Sequence, residues 1–269
     1  MRTRTYGKNG PIVIVLHGGP AAIGEAAPVA RGLSSRFVAV EALQRGSGPE
    51  PLTVARHVED LRQLVEGMES DRRPSIVGES WGAMLALAYA SAYPDSVAAI
   101  VLAGCGTFDK ASRARMNETI ESRIDGGLRR RLQLLAQEYP DPGDRLLAEK
   151  RLMETVYTCE PIAEDEQLEL VEPFDTRANR ETWNDMLRLQ EDGTYPGAFS
   201  TITSPVLMLH GDYDPHPGRM IYESLKAHIP RIEYHELKNC GHSPWKERHA
   251  RKEFFMLMTN WLLVNSQRD

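Results

Sequence analysis

The pentapeptide Gly78-Glu79-Ser80-Trp81-Gly82 places a serine hydroxyl in a tight turn between two contrasting segments. The residues before it, 74–77, are typical of a buried strand, and those after it, 83–93, are typical of a helix. Glycines two positions to either side of the serine let the strand and the helix approach closely. Ser80 would then project from the end of a strand beside helix N-terminal N–H groups, a position suited to a nucleophile.

A serine hydroxyl is a weak nucleophile near neutral pH unless a histidine held by a carboxylate removes its proton. His242 lies in the turn 239–243, between a strand-like run at 231–237 and the last helix-like segment. A histidine in a turn can reach across the end of a sheet. We therefore predict that Ser80 is the nucleophile and His242 the general base.

Two aspartates are candidates for the acid that orients His242. Asp212 and Asp214 both follow the strand-like run 205–211, at the carboxyl end where parallel sheets place reactive groups. We favour Asp214, because Asp212 lies nearer the strand end and can instead cap the turn. The alternative stays open, and either choice gives the order serine, acid, histidine along the chain.

The tetrapeptide His17-Gly18-Gly19-Pro20 follows the first long strand-like run, 11–16. Glycine allows backbone N–H groups to turn toward a ligand, and an acyl-transfer intermediate needs two such donors at one oxygen. We predict that the backbone N–H groups of Gly19 and Trp81 form this oxyanion hole. The alternative interpretation of the tetrapeptide is a simple turn that ends a strand.

Short β-rich runs alternate with helix-like segments along much of the chain. This alternation predicts an α/β fold with a mostly parallel sheet and helices on both faces. The strand-like runs are 11–16, 37–43, 74–78, 97–104, 205–211 and 231–237.

One interval interrupts the alternation. Residues 110–200 contain charged, helix-compatible segments and no convincing strand, and proline and glycine divide the segments from one another. We therefore predict a core domain formed by residues 1–109 and 201–269, and an inserted helical cap, or lid, formed by residues 110–200.

The composition excludes several classes of protein. Of the 269 residues 41% are hydrophobic and 26% are charged, as in ordinary folded domains, and the net charge of -6 gives no electrostatic reason to bind nucleic acid or anionic membranes. No run approaches the roughly 20 apolar residues that span a bilayer. The N-terminus has no cleavage site suited to a signal peptide.

Three widely spaced cysteines, Cys105, Cys159 and Cys240, are typical of reduced thiols in a cytosolic protein and show no metal-binding spacing. We predict a cytoplasmic protein without cofactor or metal, which binds a small molecule or short peptide but neither nucleic acid nor membrane. The sequence does not indicate the oligomeric state.

With these residues in hand, the chain resembles the α/β-hydrolase superfamily and, within it, the proline iminopeptidase-like branch. The resemblance implies the α/β-hydrolase fold, a helical cap over the site and a serine-acid-histidine triad. The motifs that carry it are HGGP at 17–20, QRGSG at 44–48, SWG at 80–82, GDYD at 211–214 and GHS at 241–243.

The branch also implies that carboxylates of the cap hold the free amine of a substrate. The candidates are Glu160, Glu164, Glu172 and Asp175, and no motif selects among them. The chain departs from the branch in the AAIGE that follows its HGGP motif, and in Glu79, which stands where the branch usually has glycine.

The leading hypothesis is hydrolysis of a small ester or amide through an acyl-enzyme. Alternatives are a proline iminopeptidase-type aminopeptidase, a carbon-carbon bond hydrolase, and a catalytically silent ligand-binding protein of the same fold. A serine in the turn argues against dehalogenase or epoxide hydrolase chemistry, which uses an aspartate there in similar folds. His216 is a further candidate for contact with substrate, and we expect Glu79 to form hydrogen bonds within the turn.

Overall fold

The computed structural model of the chain describes residues 1–162 and 173–266. Within these residues the chain forms a seven-stranded sheet with the strand order β1-β3-β2-β4-β5-β6-β7. All neighbours are parallel except β1 and β3, which are antiparallel. The predicted mostly parallel α/β sheet is confirmed. The strands are β1 (Arg2–Tyr6), β2 (Ile12–Leu16), β3 (Val38–Leu43), β4 (Ser75–Glu79), β5 (Ile100–Ala103), β6 (Val206–Gly211) and β7 (Ile232–Leu237).

The inner strands are apolar because both faces of the sheet are covered. Successive residues of a strand point to opposite faces, so Ile14 and Leu16 of β2 pack into one core layer, while Val13 and Val15 pack into the other. Every residue of β4 is buried. This burial gives the continuous apolar runs from which the strands were predicted.

The edge strand β1 was not among the predicted strands. Its sequence, RTRTY, has no apolar alternation, because an edge strand exposed to solvent needs none. Pairing with β3 stabilises it, and the Arg4 side chain donates to the carboxylate of Glu41 at 2.7 Å. Among the predicted strands, β5 is shorter than the run 97–104 from which it was predicted.

The helices outside the interval 110–200 cover both faces of the sheet. Those of one face share a core with Ile14, and those of the other share a core with Val13. The first face carries α2 (Val54–Glu66), α3 (Trp81–Ala92) and α8 (Gly218–Lys226), and the second carries α1 (Ala27–Leu33) and α9 (Arg251–Asn265).

Between β5 and β6 the chain forms a run of helices, α4 (Lys110–Arg123), α5 (Gly126–Glu138), α6 (Pro142–Tyr157) and α7 (Thr176–Glu191). Each begins after an aspartate whose carboxylate accepts a backbone N–H of the first turn. Few of their side chains are buried, as expected for helices that lie outside the main core. The following segment returns to that core, where the Phe199 ring packs against Phe108 and Tyr195.

No helix within residues 1–162 and 173–266 combines the length and the apolarity needed to cross a membrane.

Candidate active site

Ser80 lies in the turn that joins β4 to α3. Its backbone has φ 52° and ψ -115°, a left-handed conformation that non-glycine residues rarely adopt. The flanking glycines permit this turn, because a Cβ atom on Gly78 would overlap the carbonyl of Gly82. Ser80 lines a cavity next to this turn.

The neighbouring strands fix this turn on both sides. The Ser80 N–H donates to the carbonyl of Ala103 at the end of β5, at 2.9 Å. On the side of β2, a Cβ atom on Gly18 would lie 3.3 Å from the Ser80 Cβ. Ser80 is therefore held between the ends of β2 and β5, and glycine at position 18 favours the close approach.

His242 lies at the same edge of the sheet. Its ring is against Gly104, where a Cβ atom would come within 3.1 Å of the His242 Nδ1, and Gly104 directly follows the residue whose carbonyl accepts the Ser80 N–H. Ser80 and His242 both line one cavity of about 380 Å³. No hydrogen bond joins the two side chains among the described residues, so a short movement or a bound substrate would have to complete their contact.

Asp214, and not Asp212, contacts His242. The Nδ1 of His242 is 2.8 Å from Oδ2 of Asp214, whose side chain is fully buried. Asp212 instead accepts the backbone N–H of Cys240 at 3.2 Å, and Lys238 lies 3.8 Å from its other oxygen. Asp212 therefore stabilises the turn before His242 and does not orient the imidazole.

Two further histidines contact the Asp214 carboxylate. The Nε2 of His210 is 3.1 Å from Oδ2, and the Nδ1 of His216 is 3.0 Å from Oδ1, which also accepts the His216 backbone N–H at 2.9 Å. Burial opposes ionisation of Asp214, but the charges of His242, His210 and His216 hold the pKa of its carboxyl well below the usual value. Asp214 is therefore a carboxylate at any pH near neutrality.

His210, at the end of β6, is fully buried against Asp214. Burial lowers its pKa, but the charge and hydrogen bond of Asp214 more than offset this and raise it. For His216 burial dominates and lowers the pKa, so this ring is neutral near pH 7. No sequence signal marked these contacts, because they arise when the turn after β6 folds back through the Asp214 N–H to Gly211.

A buried glutamate, which sequence reasoning missed, fixes the loop that carries His242. The carboxylate of Glu247 accepts the backbone N–H groups of Cys159 and Glu160 at 2.8 Å and that of Gly241 at 2.9 Å. The His242 N–H in turn donates to the carbonyl of Tyr157 at 2.8 Å. The end of α6 and the histidine loop are thus joined through one carboxylate.

The turn after β2 has the geometry that its glycines allow. Gly19 has φ 87°, and a Cβ atom there would lie 2.8 Å from the Cβ of Ala22. The Nδ2 of Asn179, on α7, donates to the carbonyls of Gly19 and Pro20 at 2.8 and 2.9 Å. A side chain of the inserted helices therefore holds this turn in place.

Trp81 begins α3 directly after the serine, so its backbone N–H lies at the helix N-terminus. Its side chain is fully buried, and the indole Nε1–H donates to Oε1 of Gln44 at 2.8 Å. Gln44 also donates to the carbonyl of His17 at 3.1 Å. The buried Trp81 ring thus stabilises the HGGP turn through its hydrogen bond to Gln44.

The cavity has apolar and charged walls. Apolar side chains of α6 and of the segment after His242 contribute much of its lining, namely Leu146, Leu147, Met153, Tyr157 and Trp245. Beside Ser80 lies Glu79, which is only 3% exposed and accepts the Gly18 N–H at 3.3 Å. Burial, followed by the charge of Glu25, raises the pKa of Glu79 well above its usual value, so its carboxyl ionises less readily than that of an exposed glutamate.

Of the four acids proposed to bind an amine, the structure describes Glu160 and Asp175. Glu160 contacts His249 at 3.0 Å on the surface, and Asp175 caps α7 and accepts the Ser47 N–H at 2.7 Å. Neither is among the described residues that line the cavity. Glu164 and Glu172 lie outside the described residues.

Asp214, His216 and His242 offer ligand atoms within 4.8 Å of one another, close enough for a metal ion. The rings of His216 and His242 are nearly parallel, with an interplanar angle of 19°, so the lone pairs of their Nδ1 atoms do not converge on one point. The cluster fits two hydrogen bonds to one carboxylate better than shared metal coordination.

Comparison with known proteins agrees with this geometry. Residues 13–254 match the model of the alpha/beta hydrolase family. A proline iminopeptidase of Neisseria gonorrhoeae is 30% identical over 176 residues, which are 62% of this chain and 47% of the relative, so the match spans about half the length of that protein.

Solved structures share the fold at lower identity. An epoxide hydrolase of Bacillus megaterium superposes with a TM-score of 0.70 and 21% identity, covering 97% of this chain and 96% of the other. A proline iminopeptidase of Mycobacterium smegmatis gives a TM-score of 0.63 and 18% identity, covering 98% and 94%. These similarities extend over nearly the whole chain, which belongs to the alpha/beta hydrolase family.

Proposed function

We propose that this chain is a serine hydrolase that cleaves a small ester or amide through an acyl-enzyme. Ser80 is the nucleophile, His242 the general base, and Asp214 the acid that orients the imidazole. The backbone N–H groups of Gly19 and Trp81 hold the oxyanion. Residues 110–200 act as a cap over the site, since α6 lines the cavity and α7 holds the turn of Gly19.

The observation that carries this proposal is the Asp214–His242 hydrogen bond of 2.8 Å beside a cavity that Ser80 also lines. A buried carboxylate that accepts the Nδ1–H of an imidazole leaves Nε2 as the basic nitrogen. That tautomer is the one needed to remove a proton from a hydroxyl. The left-handed turn at Ser80 supports the same assignment, because strained backbone of this kind is typical of functional sites.

In the first half of the reaction the Ser80 Oγ attacks the carbonyl carbon of the substrate while His242 Nε2 takes the hydroxyl proton. The carbonyl oxygen becomes an oxyanion, to which Gly19 and Trp81 donate. The imidazolium then gives its proton to the leaving alcohol or amine as the carbon–heteroatom bond breaks. An ester between the acyl group and Ser80 remains.

In the second half a water molecule attacks the acyl carbon, and His242 takes one of its protons. The second tetrahedral intermediate collapses, the Ser80 Oγ leaves, and the imidazolium returns the proton to it. The products are the free acid and the regenerated enzyme. Asp214 stays ionised throughout and stabilises the imidazolium in both halves.

A fluorophosphonate probe tests the nucleophile directly. We expect intact-mass analysis to show one covalent adduct on the wild type and none on Ser80→Ala. Ser243→Ala is the matched control, because Ser243 lines the same cavity and should not carry the adduct. Equal labelling of wild type and Ser80→Ala would reject Ser80 as the nucleophile.

A second candidate function is aminopeptidase action on N-terminal proline. The curated relatives favour it, and so do the four carboxyl side chains of the cavity lining, Glu25, Glu79, Glu149 and Glu154. Rates on prolyl and other aminoacyl 4-nitroanilides, compared with those on simple acyl esters, separate the two functions. Prolyl anilides would have to be cleaved preferentially for the aminopeptidase assignment to hold.

A further inference from the structure

Lys150 brings an ammonium group to the turn of Gly19. It lies on α6, and a Cβ atom built on Gly19 would be 3.2 Å from its Nζ. The same turn contains Gly18, which approaches the Ser80 Cβ from the other side. Lys150 therefore places a positive charge within the cavity, close to the groups that we assign to the reacting carbonyl.

Among the described residues, no carboxylate lies within ion-pair distance of this ammonium. Within residues 1–162 and 173–266, Lys150 has no ion pair within 4 Å, and its Nζ instead lies 4.4 Å from the centre of the Phe174 ring. A ring face positions a cation without cancelling its charge. The side chain is half-buried, so water screens it less than it screens a surface lysine.

Glu79, the carboxyl closest in sequence to the nucleophile, ionises less readily than an exposed glutamate. It is buried, its Oε2 has no hydrogen-bond partner among the described residues, and burial raises its pKa well above the usual value. Lys246, another residue of the lining, adds a second positive charge near it. The cavity wall beside Ser80 thus carries less negative charge than it would if Glu79 ionised like an exposed glutamate.

Other acids line the cavity but differ from Lys150 in exposure. Glu149 and Glu154 are exposed on α6, as is Arg151, so solvent screens these three charges. Glu25 is half-buried and interacts electrostatically with Glu79 and His17. An amine would suit Glu25, whereas an anion would suit Lys150, whose Nζ lies beside Gly19.

We propose that the preferred substrate carries a carboxylate on its acyl group, and that Lys150 binds this carboxylate while the apolar side chains of α6 contact the intervening carbon chain. This inference deepens the proposed function and rests on it. It makes Lys150 a determinant of specificity, because the contact involves the substrate's anion and not the bond that is broken.

Matched esters test the inference. The 4-nitrophenyl hydrogen esters of succinic, glutaric and adipic acids are compared with the esters of butanoic, pentanoic and hexanoic acids, which replace the carboxylate by a methyl group. We expect kcat/KM of the wild type to be at least about tenfold higher for the best anionic ester than for its neutral partner, the size of one hydrogen bond to a charged group. Lys150→Met should remove this preference and leave the rates on neutral esters within about threefold of wild type.

Arg151→Met is the matched control, because it removes the same charge one residue further along the same helix, at an exposed position of the lining. It should keep the preference. Equal loss in the two variants, equal loss on both ester series in Lys150→Met, or no preference in the wild type would each overturn the inference. A preference for aminoacyl substrates over both series would also overturn it and would favour recognition of an amine by Glu25.

The phosphonate experiment distinguishes failure of the proposed role of Lys150 from failure of the proposed function. If Ser80 is labelled and the anionic and neutral esters react equally, only the role of Lys150 is wrong. If Ser80 is not labelled, the proposed function fails and this inference fails with it. Thermal unfolding of both variants confirms that any change in rate occurs in folded protein.

Discussion

The imidazole rings of His216 and His242 are stacked, with centroids 4.5 Å apart and planes inclined by 19°. Both rings direct Nδ1 to the carboxylate of Asp214, His216 to Oδ1 and His242 to Oδ2. His216 thus touches both members of the proposed acid–base pair. We interpret it as a positioning residue, which holds the carboxylate and the catalytic ring in their relative orientation.

His216→Phe should keep a ring against His242 and remove the hydrogen bond to Asp214. With one donor fewer, the Asp214 carboxylate becomes a stronger partner for the imidazolium of His242. The acid limb of the kcat/KM profile should therefore move to higher pH, while kcat at the optimum falls by about three- to tenfold. An unchanged limb, measured on a neutral ester, would show that His216 only fills space.

Asp214→Asn should lower kcat by about 10⁴-fold, because an amide no longer fixes the imidazole tautomer or stabilises the imidazolium. Asp212→Asn is the control, since this carboxylate contacts Cys240 and Lys238 and not His242. We expect it to change kcat by less than about threefold. The opposite ranking of the two variants would make Asp212 the catalytic acid.

Much of the fold follows from apolar periodicity. The buried strands β2, β4 and β6 are continuous apolar runs because helices cover both faces of the sheet, so their positions were predictable within one residue. The position of the edge strand β1 was not predictable from the sequence, because its stability comes from pairing with β3 and from the contact of Arg4 with Glu41. Such long-range contacts leave no local pattern.

The candidate site also contains residues that the sequence predicted and contacts that it did not. Ser80, Asp214 and His242 were found because each follows a strand in a turn, and parallel strands bring such turns to one edge. The contacts of His210 and Glu247 were missed, because each depends on how one loop folds against another. For the same reason the sequence did not indicate which charges of α6 line the cavity. The structure shows Glu149, Lys150, Arg151 and Glu154 there, and among these four Lys150 alone is half-buried.

Asn179→Ala tests whether the inserted helices organise the proposed oxyanion hole. The variant loses both hydrogen bonds from Nδ2 to the carbonyls of Gly19 and Pro20. The freed turn should misplace the Gly19 N–H, so we expect kcat to fall by about tenfold or more with little change in KM. Asn265→Ala, which removes a single bond to the Trp261 carbonyl in α9, should leave kcat unchanged.

Glu79→Gln tests the state of the buried carboxyl. Because folding raises the pKa of Glu79, the folded protein keeps this proton at pH values where the unfolded chain releases it. The resulting stability is complete below the ordinary pKa of glutamic acid, near 4.3, and declines as the pH rises toward the raised value. The free energy of unfolding of the wild type should therefore fall relative to that of Glu79→Gln as the pH rises above about 5. Parallel urea curves across this range would contradict a raised pKa of Glu79.

Glu247 should be the most sensitive position of the histidine loop. Its buried carboxylate accepts three backbone N–H groups, and Glu247→Ala leaves all three without that partner, which should cost about 3 kcal/mol or more in the free energy of unfolding. Glu247→Gln keeps one carbonyl oxygen, which can occupy the place of Oε1 and accept from Cys159 and Gly241, so its loss should be about half as large. Urea unfolding measures both, with Glu223→Ala on the exposed face of α8 as the control. Since the same carboxylate fixes Gly241 beside His242, kcat should fall in the same order as stability, and a stable variant with full activity would show that the loop does not need this anchor.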